Sequence, residues 1–427
     1  METANPASEQ RVLIIGAGSA GLLLAQVLKK ANIPTTVFEQ DSSPTSRPRD
    51  WNFGIYWAQS RLEECLPPSL HHLVNSTQTD LTYIPSPDET LHVYNGTTGE
   101  VMNIIPAPYS MRIRRRPWLE LLKTDIDVRY GKKLSSISAN EGSSTVTAIF
   151  TDGTTEEGTL LIGAEGAHSP TRKFLFRSSP DAAALKTSDV VTTATLTELP
   201  AGIATELAKL HPRHILSFDP TGFLVWIGVH DRTPEKCTYM ILVSWKSKDD
   251  TGLSKARSEA ILSDLKARAN KSLTSPFRDA IESIPNGTQA WHARLSYWPT
   301  QPWDNHSSLI TLAGDAAHPM TFHRGQGLGN AITDAAEFQT CLLSSNLNLK
   351  EAVTKYEKEM WQRGLEAVKV NLENTVSIHD WEKLLQSPFY RAGIKRDAEV
   401  GVSSGDVGVD EERKPGGEGD DKGELFD

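Results

Sequence analysis

The segment Gly16-Ala17-Gly18-Ser19-Ala20-Gly21 constrains the fold of this chain more than any other, because of what stands on either side of it. Arg11 to Ile15 is a short aliphatic, β-branched run that reads as a buried parallel strand, and Leu22 to Lys29 reads as a helix with Leu23 and Val27 inward. At the junction, Gly16 takes the tight turn. Gly18 lets the backbone approach a pyrophosphate with no Cβ in the way, and Gly21 lets the helix pack closely on the strand. The free N–H groups of the helix start, at Ser19 and Ala20, then face phosphates. A second strand, Thr35 to Phe38, ends in Glu39, eighteen residues after Gly21, where an acid accepts from ribose hydroxyls. An acid rather than an arginine there favours an unphosphorylated ribose. A glycine turn alone is weak evidence, but strand, turn, helix, strand and acid in this order predict a dinucleotide site.

At 427 residues the chain exceeds one simple dinucleotide-binding unit and predicts a second domain. The Pro- and Ser-rich patch Asp41 to Arg49 leads to the aromatic stretch Trp51 to Trp57, to which no element is assigned. Arg61 to Leu66 reads as a short helix stopped by Pro67-Pro68, Leu91 to Tyr94 and Val101 to Ile105 as strands, and Pro117 to Thr124 as a helix. Strands follow at Val146 to Phe150 and Leu160 to Ile162. His214 to Phe218, Phe223 to Val229 and Tyr239 to Trp245 alternate or run apolar between turns, which predicts an antiparallel sheet interrupted by a helix over Ser254 to Ala269. Leu309 to Ala313 returns to a buried strand, and Ala331 to Leu343 and Ala352 to Val370 read as helices.

Charge and cysteine usage exclude several classes. The net charge is -10, but Asp397 to Asp427 holds eleven acids against three bases, so most of the excess lies in a glycine-rich end that reads as a disordered tail. The main cationic cluster, Arg112, Arg114, Arg115 and Arg116, is too small for a nucleic-acid face. Cys65, Cys237 and Cys341 stand far apart with no C-x-x-C pair, so neither a disulfide framework nor a metal site is predicted. No stretch approaches the roughly 18 apolar residues needed to span a bilayer, and Met1 to Gln10 is polar. The expectation is a soluble, cytoplasmic protein with no membrane anchor. Nothing in the sequence fixes its oligomeric state.

Towards the other end, Gly314-Asp315-Ala316-Ala317-His318 follows the buried run Leu309 to Ala313 and sets an aspartate just past the carboxyl end of a strand, where ligands bind in open α/β sheets. Arg324-Gly325-Gln326-Gly327-Leu328-Gly329-Asn330 then opens into a helix whose backbone donors and positive dipole end face whatever lies beside them. Together with Gly163-Ala164-Glu165-Gly166-Ala167-His168-Ser169-Pro170-Thr171-Arg172, which is similar to a G-A-D-G-x-x-S-x-x-R element, these segments make the chain resemble the FAD-dependent aromatic hydroxylases. These are the single-component flavoprotein monooxygenases related to para-hydroxybenzoate and salicylate hydroxylases. The resemblance covers Arg11 to about Trp381.

The resemblance implies an α/β fold: a Rossmann-like FAD-binding domain built from residues 11–75, 111–178 and 301–345, with an antiparallel substrate domain from 76–110 and 179–300 inserted between them. Helices at 346–395, a flexible start at 1–10 and the acidic tail at 396–427 complete it. It implies that Gly16 to Gly21 with Glu39 hold the ADP end of FAD, and Asp315, Gly325, Gly327 and Leu328 the flavin end. Arg115 looks like the arginine of the family's R-x-x-L-x-x-x-L element, and Arg49 is a candidate pyrophosphate contact. Glu165 replaces the family's aspartate, a departure that bears on contacts linking FAD and the nicotinamide. Thr321 and Phe322 stand where the family often carries prolines, and Gly329 where asparagine is usual.

The implied cycle is reduction of FAD by transient NADPH or NADH, addition of O2 to give a flavin C4a-hydroperoxide, and transfer of one oxygen to an aromatic or polyketide-like small molecule. The style of His318 to Gly327 looks like that of fungal monooxygenases of secondary metabolism. Since the cofactor carries this chemistry, no catalytic triad is expected. A base that ionises a phenol would help, and His214, His230, Tyr239 and His323 are open candidates without one being nominated. Trp226, Trp245 and Phe223 either line an aromatic pocket or are plain core. A reductase or oxidase of the same fold and a non-catalytic flavin-binding protein are the competing readings.

Overall fold

The structure, a computed structural model, describes residues 10–46, 50–248 and 252–392. Arg49, the N-terminal segment before Gln10 and the acidic tail lie outside the described residues. Four fully buried or nearly buried runs, Val12–Ile15, Thr35–Phe38, Leu160–Gly163 and Ile310–Leu312, join Val128–Arg129 in a five-stranded sheet. Every pairing in it is parallel, and the registers set Ile15 opposite both Phe38 and Gly163, and Gly163 opposite Leu312. Parallel strands in this register end at one edge of the sheet. The loops after Ile15, Phe38, Gly163 and Leu312 therefore emerge side by side, and three of the sequence motifs occupy them.

Continuous apolar content explains the helix behind this edge. Ser19–Lys30 buries Ala20 through Leu28 and packs on Gly327–Ser344, which in turn packs on the thirty-residue helix Leu349–Ile378. That last helix runs past the expected end at Val370. Asn371, Asn374 and Thr375 look like a polar terminus in the sequence, yet they are buried and hydrogen-bonded, so the helix continues through them.

The second layer is a seven-stranded sheet in the order Ala290–Tyr297, Lys186–Glu198, Cys237–Lys246, Leu224–Arg232, His214–Phe218, Thr90–Asn95, Val101–Pro106. All its pairings are antiparallel except His214–Phe218 with Thr90–Asn95. The period of two sorts its side chains. Val225, Ile227, Ile241, Val243 and Trp245 pack on the helix Ser258–Ser272 through Ile261, Leu262, Leu265 and Ala269. Leu224, Trp226, Met240 and Leu242 point the other way, towards the dinucleotide edge.

Several elements escaped the sequence reading, among them the strands Leu134–Asn140 and Ala290–Tyr297 and the helix Ala201–Leu210; two of them bear on the site. Lys186–Glu198, the longest strand, is rich in threonine rather than aliphatic residues, and the aromatic stretch contains Asn52–Ile55, which pairs with Met111–Arg114. The helix expected from Ser254 begins only at Ser258, after a single tight turn at Leu253–Lys255. Among the described residues no helix is long and apolar enough to cross a membrane, and no cluster of His, Cys, Asp or Glu could hold a metal ion.

Candidate functional site

The glycine loop follows from local backbone demands. Gly16 has φ +107°, and a Cβ there would lie 2.4 Å from the Ala164 carbonyl oxygen. A Cβ on Gly21 would lie 2.1 Å from the Gly16 carbonyl oxygen, so helix and turn touch through bare backbone. Gly18 differs: it caps the helix Ser19–Lys30 at φ -81°, no side chain caps that end, and no protein atom lies within 4 Å of a Cβ placed on it. The Ser19 hydroxyl accepts from Trp118 Nε1 at 3.0 Å. Glu39 accepts from the Ala17 N–H at 2.9 Å and the Asp41 N–H at 3.0 Å, which fixes its carboxylate beside the loop.

The two glycine segments are in contact: Gly314, at φ +59°, would carry a Cβ 2.7 Å from the Ala20 Cβ. Gly314 N–H donates to Asp334 Oδ2 at 2.6 Å, and His318 Nε2 donates to the same oxygen at 2.7 Å. Arg363 Nη2 pairs with Asp334 Oδ1 at 2.7 Å. Burial alone would raise the Asp334 carboxyl, but His318 and Arg363 overcome it and hold the group down at about 2. His318 is thus a brace between helix and loop. Asp315, one residue from Gly314, turns the other way and is exposed to a cavity, where crowding by protein raises its carboxyl above the usual range.

Arg172 ties the third motif to the second. Its Nη1 donates to the Ala316 carbonyl at 2.9 Å and its Nε to the Ala183 carbonyl at 3.1 Å, while Nη2 donates to the Ala167 carbonyl. Glu165 is spent within its own loop. Its carboxylate accepts from the Ser169 hydroxyl at 2.7 Å, from the Thr171 N–H at 3.2 Å and from the Thr171 hydroxyl, and burial raises it. Departures further on also have local causes. Thr321 and Thr375 hydroxyls bond at 2.7 Å, and the Thr321 hydroxyl donates to the Asn371 carbonyl at 2.9 Å. At Gly329 any Cβ would meet the Trp57 indole at 2.6 Å, which leaves no room for the usual asparagine.

A cavity of about 500 Å³ connects the two layers. Asp315, Gly325, Gly327 and Leu328 line one end. Gly325 turns at φ +63° against the Tyr56 ring, whereas a Cβ on Gly327 would meet nothing within 4 Å. Here the helix Gly327–Ser344 begins without a side-chain cap, so its first N–H groups remain available. At the other end the sheet contributes Thr192, Ala194, Trp226, Met240, Leu242 and Trp291, and Phe322 and Phe389 close the sides.

The sequence candidates separate cleanly. Trp226 lines the cavity; Trp245 and Phe223 belong to the helix-covered face. Of the four candidate bases only His323 lines the cavity, and both its nitrogens are engaged, with Ser244 Oγ at 3.0 Å and Thr375 Oγ1 at 2.8 Å. His214 is buried behind Trp226 with neither nitrogen bonded. Tyr239 lies in the opposite core, and burial pushes its hydroxyl up to about 12. His230 faces Asn52 and Asp50 from behind the wall. Arg115 stacks over Trp51 at 4.9 Å and is not among the cavity residues; Arg112, three positions earlier, is. Sequence reasoning counted Arg112 only as part of a basic run. Its strand partner Gly54 could not be seen until Asn52–Ile55 was known to be a strand.

Comparison with known proteins gives these features a family. The FAD binding domain family matches residues 9–51 and 74–368. The FAD-dependent monooxygenase cctM of Talaromyces islandicus is 50% identical over 393 residues, covering 91% of this chain and 97% of that protein. FAD-dependent monooxygenase phnB of Penicillium herquei is 32% identical over 399 residues, 90% of this chain and 95% of that one. Among solved structures, a putative FAD-containing monooxygenase from Photorhabdus luminescens superposes with TM-score 0.71 at 21% identity, over 86% of this chain and 97% of that one. Klebsiella pneumoniae HpxO, complexed with FAD and uric acid, gives 0.70 at 18% identity over 92% and 94%. The chain belongs to the FAD binding domain family and is an FAD-dependent monooxygenase.

Proposed function

We propose that this enzyme hydroxylates or epoxidises a planar aromatic or polyketide-like small molecule held in the cavity between its two layers, with NADPH or NADH as the electron donor. The observation that carries the reading is the continuity of that cavity. Asp315 and the open Gly327 position lie at one end, and an uncharged, tryptophan-bearing sheet face lies at the other.

The residues present fit FAD. The helix starts at Gly18 and Gln326 have no side-chain cap, and at the adjoining Gly18 and Gly327 an added Cβ meets no protein. Backbone donors left unpaired beside empty space suit phosphate at the first site and an electron-rich ring edge at the second. In this reading Gly16 to Gly21 and Glu39 hold the ADP moiety, and Asp315 with Gly325 to Leu328 holds the flavin. Residues 11–75, 111–178 and 301–345 act as the cofactor unit, and 76–110 and 179–300 as the substrate unit. Arg115 and Glu165 act through the loops they stabilise. When bound, FAD supplies the redox chemistry that activates O2 and transfers one of its atoms.

The protein's own contribution is position and exclusion of water. Trp226, Trp291, Leu242 and Met240 offer flat apolar surface to a ring, and the helix-covered face behind them keeps the wall rigid. The brace of His318, Asp334 and Arg363 fixes the Asp315 loop at the cavity mouth. The decisive experiment gives the purified yellow protein, NADPH or NADH and labelled dioxygen with a panel of naphthols and phenolic acids, and analyses products by mass. One labelled oxygen atom in an organic product is expected. Pyridine-nucleotide oxidation that yields only peroxide or an unlabelled dehydrogenated product across the panel defeats the proposed chemistry.

A further inference from the structure

Two buried arginines lie within reach of each other's charge, one at the cavity wall and one behind it, and the fold treats them differently. Arg213 is paired: its Nη2 lies 2.8 Å from Glu89 Oε1, and its Nη1 donates to the Ser110 carbonyl at 3.0 Å. Arg112 lines the cavity, is only 9% exposed, and has neutral partners alone. Its Nη1 donates to the Tyr56 hydroxyl at 3.1 Å, its Nη2 donates to the Asn52 side-chain oxygen, and its guanidinium carbon stands 4.6 Å over the Trp226 ring. The Nε has no partner, and among the described residues no carboxylate is bonded to the group.

Its surroundings do not relieve the charge. Arg213 repels it, His214 behind Trp226 is kept neutral by burial, and desolvation pulls the guanidinium below its ordinary value. Asp50, Asp315, His323 and Arg324 also line the cavity, and none of them is among the bonded partners of Arg112. A buried cation that lacks a counter-charge is costly, and an anion delivered by a ligand removes that cost. The rest of the sheet wall is uncharged, apolar or aromatic except for Thr192 and Thr195, and offers a ring no rival charge.

We infer that Arg112 is the specificity-determining anchor for an anionic oxygen on the substrate, so that the cavity selects planar aromatic molecules bearing an ionised hydroxyl or a carboxylate. The inference rests on the cavity being the substrate site of the monooxygenase. Charge-assisted hydrogen bonds to a desolvated guanidinium set the expected preference at about ten- to a hundredfold over a neutral isostere.

The test uses FAD-loaded wild type, Arg112→Met and Arg112→Lys with three probes: 2-naphthoate, its neutral relative 2-naphthamide, and 4-nitrophenol. Wild type is expected to bind an anionic probe at least tenfold more tightly than the amide. Arg112→Met loses that factor while amide affinity stays within about twofold, and Arg112→Lys keeps the anion preference. The naphthoate arm reads the carboxylate source. The 4-nitrophenol arm reads the hydroxyl source, because its visible absorbance reports whether the bound probe ionises at lower pH than the free one, an effect that Arg112→Met abolishes. FAD content and unfolding midpoints of each variant separate loss of the anchor from loss of the fold, and the neutral Arg112→Gln, which should also lose the anion preference, carries the comparison if Arg112→Met does not retain FAD. Wild type without anion preference, or an equal loss of anion and amide binding in the variants, overturns the assignment. Anion binding through Arg112 with no labelled oxygen entering any product would leave the anchor standing and defeat the oxygenation chemistry instead.

Discussion

At the scale of single residues, the glycines divide by what surrounds them, and the division is testable. Gly16 is required by the protein itself, since its φ of +107° and the Ala164 carbonyl oxygen, 2.4 Å from where a methyl would sit, exclude a side chain. Gly16→Ala should therefore destabilise the fold by about 1–3 kcal/mol and lower FAD retention together. At Gly18 the protein itself imposes no such demand, and the proposed pyrophosphate contact would be the reason for a glycine. Its φ of -81° suits alanine and its surroundings are open, so Gly18→Ala should leave urea unfolding of the apoprotein within about 0.5 kcal/mol while FAD retention falls at least tenfold. Flavin content by absorbance and unfolding curves on both variants check this; a Gly18→Ala protein with full flavin would remove the pyrophosphate from that loop. These positions were legible in the sequence because a turn makes demands on a few consecutive residues. Arg112 was not. Its meaning depends on Glu89 reaching Arg213 and on no acid reaching Arg112, and neither relation leaves a mark in local sequence.

At the scale of elements, the chain displayed its apolar periodicities and hid its polar joints. The buried parallel strands and the helix behind the glycine loop could be read directly, since the strands Val12–Ile15 and Leu160–Gly163 hold no polar side chain and the helix is apolar but for Ser19, Gln26 and its two last lysines. Polar residues inside helices misled. Asp334 and Arg363 look like solvent-facing positions, yet together they lock Gly327–Ser344, Leu349–Ile378 and the Gly314 turn into one unit. Asn371, Asn374 and Thr375 similarly hid the end of the long helix. Removing one member of such a joint leaves buried charge uncompensated, so Asp334→Asn should cost about 3–5 kcal/mol. The same variant should also loosen Asp315 and reduce flavin retention more than Glu359→Gln does, because Glu359 is the outer, more exposed partner of Arg363. Equilibrium unfolding decides the point: a loss below about 1 kcal/mol would mean that the joint contributes little.

For the whole molecule, the burial of titratable groups in both layers predicts how stability responds to pH. His211 and His379 are buried and held neutral down to about 4 from an ordinary 6.5, and His214 is lowered well below 6.5; desolvation is the largest cause in each. As pH falls from 6.5 the unfolded chain takes up protons at these imidazoles and the folded chain does not, so their share of the stability is lost on acidification. Glu357 works in the opposite sense. Buried between the long helix and Trp303 and Asn305, which donate to its oxygens at 2.9 and 2.6 Å, it is raised from 4.5 to about 7 by desolvation. There the folded chain holds a proton that the unfolded chain releases, so its contribution is full below 4.5 and is lost as pH rises through 7. Asp315 and Glu165, also raised by burial, act in the same direction as Glu357. In the overlap near pH 5.5 each group changes the slope of stability against pH by at most one proton, about 1.4 kcal/mol per pH unit. Glu357→Gln should accordingly make the FAD-loaded protein lose stability more steeply between pH 6.5 and 5, and His379→Gln should make the loss shallower by a similar amount. Urea titrations across that range measure both slopes. Variants that run parallel to wild type would show that these groups exchange protons alike in the folded and unfolded chains.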